Sequence, residues 1–207
     1  LDDPMAAYAL DDGFNSPHNA AITWRQMLQQ TSEWEGTLWG KPDTLDRNRQ
    51  VGPGETSGSK GEARPLQKPG TVWEYNDVRV NRLSLSLMQV FRRPLPAVLD
   101  EAIMAPIGAT GWAWHGYANS TVEIDGQAME SVSGGGHWGG GFQIPTHALA
   151  RFGLLIGRKG RWNGRQLIAE SWIEAMLRPC PANPVYGFMW WLNTDRALHP
   201  SAPTSSV

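Results

Sequence analysis

The stretch Lys68-Pro69-Gly70-Thr71-Val72-Trp73-Glu74-Tyr75-Asn76-Asp77 leads directly into the clearest helical period of the chain. Beyond it, Val80, Leu83, Leu87 and Val90 recur at three and four residues, with Arg79, Arg82, Gln89 and Arg93 mostly off that stripe. The spacing predicts a helix over residues 77–93, stopped by Pro94. Tyr75 and Asp77 then stand two residues apart at its mouth and can point the same way. The partial positive charge of a helix N-terminus favours anions. A phenol held there, especially beside a lysine, is expected to lose its proton more easily and to serve as a general base. The plainer reading is that Asn76 or Asp77 caps the helix and Tyr75 packs on the loop.

Toward the N-terminus, Thr23 can cap a short helix over residues 22–30 that carries Ile22, Met27 and Leu28. Residues 50–70 contain Gly52, Pro53, Gly54, Gly58, Gly61, Pro65, Pro69 and Gly70 and show no hydrophobic period, which predicts an extended surface loop. On the C-terminal side, Leu95, Val98, Leu99 and Ile103 define a second amphipathic helix that Pro106 and Gly108 stop. Asp125-Gly126 between Val122-Glu123-Ile124 and Gln127-Ala128-Met129 predicts a two-residue hairpin. In that register Ile124 faces Gln127 and Val122 faces Met129, leaving Glu123 and Glu130 on the other face. Further on, the period predicts a helix over 145–158 with Phe152, Leu155 and Ile156 inward, a tight turn at Asn163-Gly164, a helix over 170–177 and a strand-like run over 186–192.

Composition narrows the function. Lys and Arg total 18 against 20 for Asp and Glu, so there is no broad basic field to suit nucleic acid or an anionic membrane surface. No run approaches the roughly 20 apolar residues of a membrane helix. The 23 Gly and 15 Pro exceed the usual share and predict a chain rich in turns. Cys180, the one cysteine, excludes an internal disulfide, and its setting between Pro179 and Pro181 gives its thiol no helix start or adjacent base. His18, His115, His137, His147 and His199 show no paired spacing for zinc. Most of the 11 Trp are expected in the core, with two or three free to line a pocket.

Several of these stretches, taken in order, resemble the serine β-lactamase and penicillin-recognising hydrolases, in particular class C β-lactamases, D-alanyl-D-alanine carboxypeptidases and related esterases. Thr23 to Leu28 through Thr31-Ser32 looks like the segment before that family's Thr-Ser-Gly, with Glu33 where Gly is usual. Pro69-Gly70 and Tyr75-Asn76-Asp77 resemble its Pro-Gly and Tyr-x-Asn elements. Met104-Ala105-Pro106-Ile107-Gly108 looks like its Pro-Leu-Gly helix end. Gly139-Gly140-Gly141, Leu149-Ala150-Arg151-Phe152 and Trp162-Asn163-Gly164 resemble its later run. The resemblance spans residues 20–190 and implies an α+β fold of the β-lactamase/transpeptidase type. Here it would be mostly the helical part with short antiparallel hairpins, and residues 1–207 would form a single incomplete domain.

What the resemblance implies is acyl transfer from an ester, amide or β-lactam carbonyl, with no cofactor or metal. A serine attacks, a lysine one helical turn later helps remove its proton, and backbone N–H groups hold the oxyanion. Tyr75 would be the proton shuttle, and Asp77 would occupy the place of an Asn that contacts the lysine and the substrate. An Asp there loses an amide donor and gains an ion pair with a lysine, which favours an ester over a penicillin-like amide. His137, Trp138, Gly139 and Gly140 would border the acyl group as substrate-binding residues. The nucleophilic Ser-x-x-Lys is expected ahead of Leu1 and the Lys/His-x-Gly strand beyond Val207, so the chain reads as an internal piece, inactive alone. Ser57-Gly58-Ser59-Lys60 matches the spacing, but its glycines oppose the helical turn the motif needs. The resemblance favours a location outside the cytoplasm, periplasmic or secreted, and the residues themselves leave the compartment open. The competing expectation is a non-catalytic peptide- or glycan-binding module on the same fold, using Trp138 and its neighbours.

Overall fold

The structure, a computed structural model, describes residues 1–9, 11–49, 59–134 and 141–202. These fall into two compact units, one of residues 1–83 with 176–202 and one of residues 84–175. Among the described residues every strand pair is two-stranded and antiparallel, and no helix is long and apolar enough to cross a membrane.

The first unit begins with the short helices α1, Pro17–Ala20, and α2, Trp24–Leu28. The expected cap at Thr23 is present as a full capping box: its side chain accepts from the Gln26 N–H, and the Gln26 side chain accepts from the Thr23 N–H. Strands β1, Thr37–Leu38, and β2, Lys41–Pro42, form a small hairpin, and the unit then runs into the long helix α3, Asp77–Phe91. The sequence period placed α3 correctly but not its surroundings. Val78, Leu85 and Met88 are its deepest apolar residues, Val90 is exposed, and Arg79 and Arg82 are 2% and 1% exposed rather than solvent-facing. A helix enclosed nearly all round has no polar face for a 3.6-residue stripe to report.

The two arginines are buried because each meets carboxylates supplied by loops. Arg82 makes two 2.6 Å bonds to Asp11 and lies 4.6 Å over the Phe14 ring. A Cβ at Gly13 would come within 2.5 Å of that guanidinium, so glycine is required at this close approach. Arg79 donates to the Trp34 carbonyl at 3.0 Å and to Glu33 at 3.1 Å, and lies 3.3 Å from Glu74 and 3.6 Å from Asp43. Arg64 grips Glu33 through two 2.7 Å bonds and Glu74 at 2.8 Å, while Arg47 donates to Asp43 at 2.8 Å. Glu33 adopts φ +52°, the left-handed region that suits a glycine, and its carboxylate is the centre of this cluster.

The second unit continues from α3 through α4, Leu95–Leu99, a π-helical turn, Asp100–Met104, and strands β3, Ala113–Trp114, β4, Gly116–Ile124, β5, Gln127–Val132, and β6, Phe142–Gln143. Helix α5, Thr146–Gly157, strands β7, Arg161–Trp162, and β8, Arg165–Gln166, and helix α6, Glu170–Met176, follow. The β4–β5 hairpin has the expected register, Val122 opposite Met129 and Ile124 opposite Gln127, with Asp125 and Gly126 both at positive φ. Ile124 and Met129 are buried and Glu123 and Glu130 exposed. Met104, Ile107, Ala109, Ala148 and Leu155 make the core of this unit, and Arg151 closes it by donating to the Ile107 carbonyl at 2.9 Å.

The run over 186–192 is not a strand. The chain reverses at Met189, φ +57°, so that Tyr186 and Trp191 bridge one another, and Met189 N–H donates to the Leu28 carbonyl. A single left-handed residue inside a continuous apolar run leaves no trace in a hydrophobic pattern. Cys180 is buried and free, in the loop before this reversal.

Two measurements test the ion cluster. Arg79→Met removes the buried guanidinium that faces Glu33, Glu74 and Asp43, leaving Arg64 and Arg47 as their cations, and should cost about 3–5 kcal/mol in urea unfolding, the usual penalty for breaking a buried pair from one side. A loss below about 1 kcal/mol would show the cluster to be ornamental. Burial alone would raise the Glu33 carboxyl, but the Arg64 bonds, the Gln67 N–H and the charges of Arg79 and Arg64 outweigh it and hold the pKa at about 2, from 4.5. A lowered folded-state pKa adds stability that is complete above the unfolded value and fades as pH falls through the folded one. The native state should therefore lose roughly 3 kcal/mol between about pH 4.5 and pH 2 from this group, and Glu33→Gln should flatten that limb of the stability curve.

Candidate active site

Tyr75 is fixed by its neighbours in sequence. Gly70, at φ +92°, donates its N–H to the Thr31 carbonyl at 2.7 Å, and Glu74 donates its N–H to the Gln30 carbonyl at 3.0 Å. The Glu74 carboxylate enters the buried ion cluster and also accepts the Asn48 N–H at 2.6 Å. Asn76 is the helix cap: its side-chain oxygen accepts from Val78 and Arg79 N–H at 3.1 and 3.2 Å, and its amide donates to the Asp43 carbonyl. With residues on both sides pinned, the phenol is held at the mouth of α3, where the sequence put it.

Its setting is aromatic and charged. Trp191 stacks on the Tyr75 ring at 5.9 Å and 24°, while Trp73 and Tyr186 lie 6.5 and 6.4 Å away and tilted. Tyr186 is buried; Trp73, Tyr75 and Trp191 are half-buried, so the phenol is not sealed in the core. The Arg49 guanidinium lies over the Tyr75 ring at 5.3 Å and donates to Asp77 at 3.1 Å. Asp46 accepts the Asp77 N–H at 2.9 Å and pairs with Lys60 at 3.0 Å and Arg49 at 3.7 Å.

One expectation is corrected here. The Tyr75 phenol is harder, not easier, to deprotonate: burial raises its pKa first, Asp77 and Asp46 raise it further, and Arg49 opposes them. The helix mouth that was to favour the phenolate is partly buried and holds two carboxylates, and both oppose the phenolate. Within this chain Asp77 pairs with Arg49. Tyr186, more deeply buried beside Tyr75, is also raised, burial being the main cause.

The other candidate residues divide. His137, Trp138, Gly139 and Gly140 lie outside the described residues, as does Ser57. Of the Ser-x-x-Lys look-alike, Ser59 donates to the Asn48 carbonyl and Lys60 neutralises Asp46, which commits both side chains to the loop. Among the described residues no helix carries a Ser three positions before a Lys. A cavity of about 420 Å³ in the same unit is lined by Asp11, Asp12, Trp34, Glu35 and Arg82 among others, and Tyr75 does not line it. Sequence reasoning missed Arg49, Asp46 and Trp191. The alternating Asp46-Arg47-Asn48-Arg49 and the doubled Trp190-Trp191 were the available signals, but nothing local ties either to Tyr75.

Neither a protein-family model nor a curated protein matches the sequence. Solved structures do match the fold. A penicillin-binding protein homolog from Caulobacter crescentus superposes with a TM-score of 0.62 at 16% identity, over 99% of this chain and 62% of its own. The hydrolase EstCE1, which has promiscuous acyltransferase activity, gives 0.57 at 18% identity, over 99% and 65%. A penicillin binding protein from Bacillus halodurans gives 0.56 at 16%, over 92% and 60%. The chain spans between 44% and 65% of the length of these and similar structures.

The reversed acidity of Tyr75 is directly measurable. In an ultraviolet titration of the folded chain, the tyrosinate signal that disappears in Tyr75→Phe should have its midpoint above about 10, the ordinary phenol value. A midpoint well below that value would restore the activated phenolate.

Proposed function

We propose, for a chain with the β-lactamase and penicillin-binding-protein-like fold, that it belongs to a serine hydrolase which transfers an acyl group from an ester carbonyl to water, with Tyr75 handling the proton. The observation that carries this is the half-buried phenol fixed at the mouth of α3 by the Glu74 and Asn76 clamps, at the position the resemblance assigns to the shuttle. The nucleophilic serine and its lysine would come from residues outside those described, in a protein longer than this chain, and the 207 residues alone would be inactive.

The raised pKa of the phenol shapes the mechanism. A neutral Tyr75 does not wait as a phenolate; it takes the serine proton while passing its own to the lysine, and the serine oxygen bonds to the carbonyl carbon. When the tetrahedral intermediate collapses, the proton returns through Tyr75 to the leaving alkoxide as the carbon–oxygen bond breaks. Water then replaces the alcohol and repeats the sequence to release the acid. Asp77, 2% exposed and bonded to Arg49, has no amide N–H to offer a substrate carbonyl, which supports an ester rather than a lactam or peptide.

A non-catalytic module that binds a peptide or glycan is the second reading, favoured by the half-buried ring faces of Trp73 and Trp191. The longer protein separates the two. It should hydrolyse p-nitrophenyl esters, leave a chromogenic cephalosporin largely intact, and lose about two to four orders of magnitude in kcat with Tyr75→Phe. An unchanged kcat removes Tyr75 from the chemistry, and absence of any turnover with retained glycan or peptide binding supports the module.

A further inference from the structure

Resting on the reading of Tyr75 as the proton-handling group, we infer that Arg49 is its positioning residue: its guanidinium covers the phenol ring and bridges the two carboxylates beside it, and so sets the charge the hydroxyl meets. The placement is built into the backbone. Asn48, at φ +57°, donates its N–H to Glu74 at 2.6 Å, so the residue before Arg49 is bonded to the residue before Tyr75. This clamp brings Arg49 against the ring at 5.3 Å with only 23% of its side chain exposed.

The charges facing the phenol come from several segments. Asp46 and Arg49 follow β2, Asp77 opens α3, Lys60 reaches the cluster through Asp46, and Tyr186 faces the ring from the reversal at Met189. Two carboxylates are balanced by two cations, and of these Arg49 is the one lying over the ring and touching both acids. Removing Arg49 takes one positive charge from beside Asp46 and Asp77 and shifts the local balance toward negative, which opposes phenolate formation. The planar fork also matters. A guanidinium can donate to a carboxylate at its edge while its face lies on a ring, which a lysine ammonium cannot reproduce in both respects. The Arg49 charge lowers a pKa that burial, Asp77 and Asp46 raise, in the sense its place over the ring implies.

The test is made on the folded 207-residue chain and needs no turnover. With 3-fluorotyrosine at position 75, whose fluorine brings the phenol's ionisation into a pH range milder for the fold, fluorine NMR reads the midpoint directly. Arg49→Gln should raise it by about one pH unit, Arg49→Lys should recover part of that shift, and Asp77→Asn should move it the other way. A midpoint unmoved in Arg49→Gln overturns the inference, whatever the unfolding curves and the Asp77→Asn midpoint show, because a merely structural tie would change stability without shifting the phenol. Should Arg49→Gln fail to fold, the Arg49→Lys and Asp77→Asn midpoints decide alone: movement up and down respectively supports the role, and no movement in either refutes it. The hydrolase reading fails separately, through Tyr75→Phe in the longer protein.

Discussion

The buried contact between Glu33 and the guanidiniums of Arg64 and Arg79 is the constraint from which the rest of the first unit follows. Charges without water are costly, and a pair holds only where geometry and further hydrogen bonds make up for lost hydration. Here Glu33 receives Arg64 twice, Arg79 and the Gln67 N–H, while Glu74 and Asp43 complete the ring of acids around Arg79. The acids sit beside buried or half-buried rings, Glu33 next to Trp34 and Glu74 between Trp73 and Tyr75, so charge pairing and aromatic packing together specify the path of these loops. A non-glycine at positive φ is tolerated at position 33 because the side chain it presents is the hub.

Function enters because Glu74 is both a member of that ring and the neighbour of Tyr75. The ion cluster sets the height of the phenol at the helix mouth, the Asn76 cap sets its direction, and Trp191 sets the plane of its ring. Burial of the ring holds the proton first, and a second, smaller set of charges, with Asp77 and Asp46 opposed by Arg49, adjusts how tightly it is held. Structure and reactivity are thus divided between two clusters that share a loop. That arrangement lets the acidity of the phenol be adjusted at residue 49 while the scaffold under it stays fixed.

Local signals in the sequence were read well where the physics is local. The Thr23 capping box, the Asp125-Gly126 turn with its register, the Asn163-Gly164 turn and the span of α3 all depend on residues a few positions apart. The position of Tyr75 was legible for the same reason. Its electrostatics were not, because the carboxylate that accompanies Asp77 comes from residue 46 and the opposing cation from residue 49, some 30 residues upstream. The arginines of α3 stood off the apolar stripe, and a pattern of charges carries no record of buried partners such as Asp11 or Glu33. The reversal at Met189 was hidden in a run of apolar residues that any strand could share.

The most direct test of Tyr75 as the proton-handling group is the crystal structure of the longer protein after labelling with a fluorophosphonate. The labelled serine oxygen should lie within hydrogen-bond reach of the Tyr75 hydroxyl, about 2.6–3.2 Å. A label on a serine remote from that hydroxyl would contradict the account.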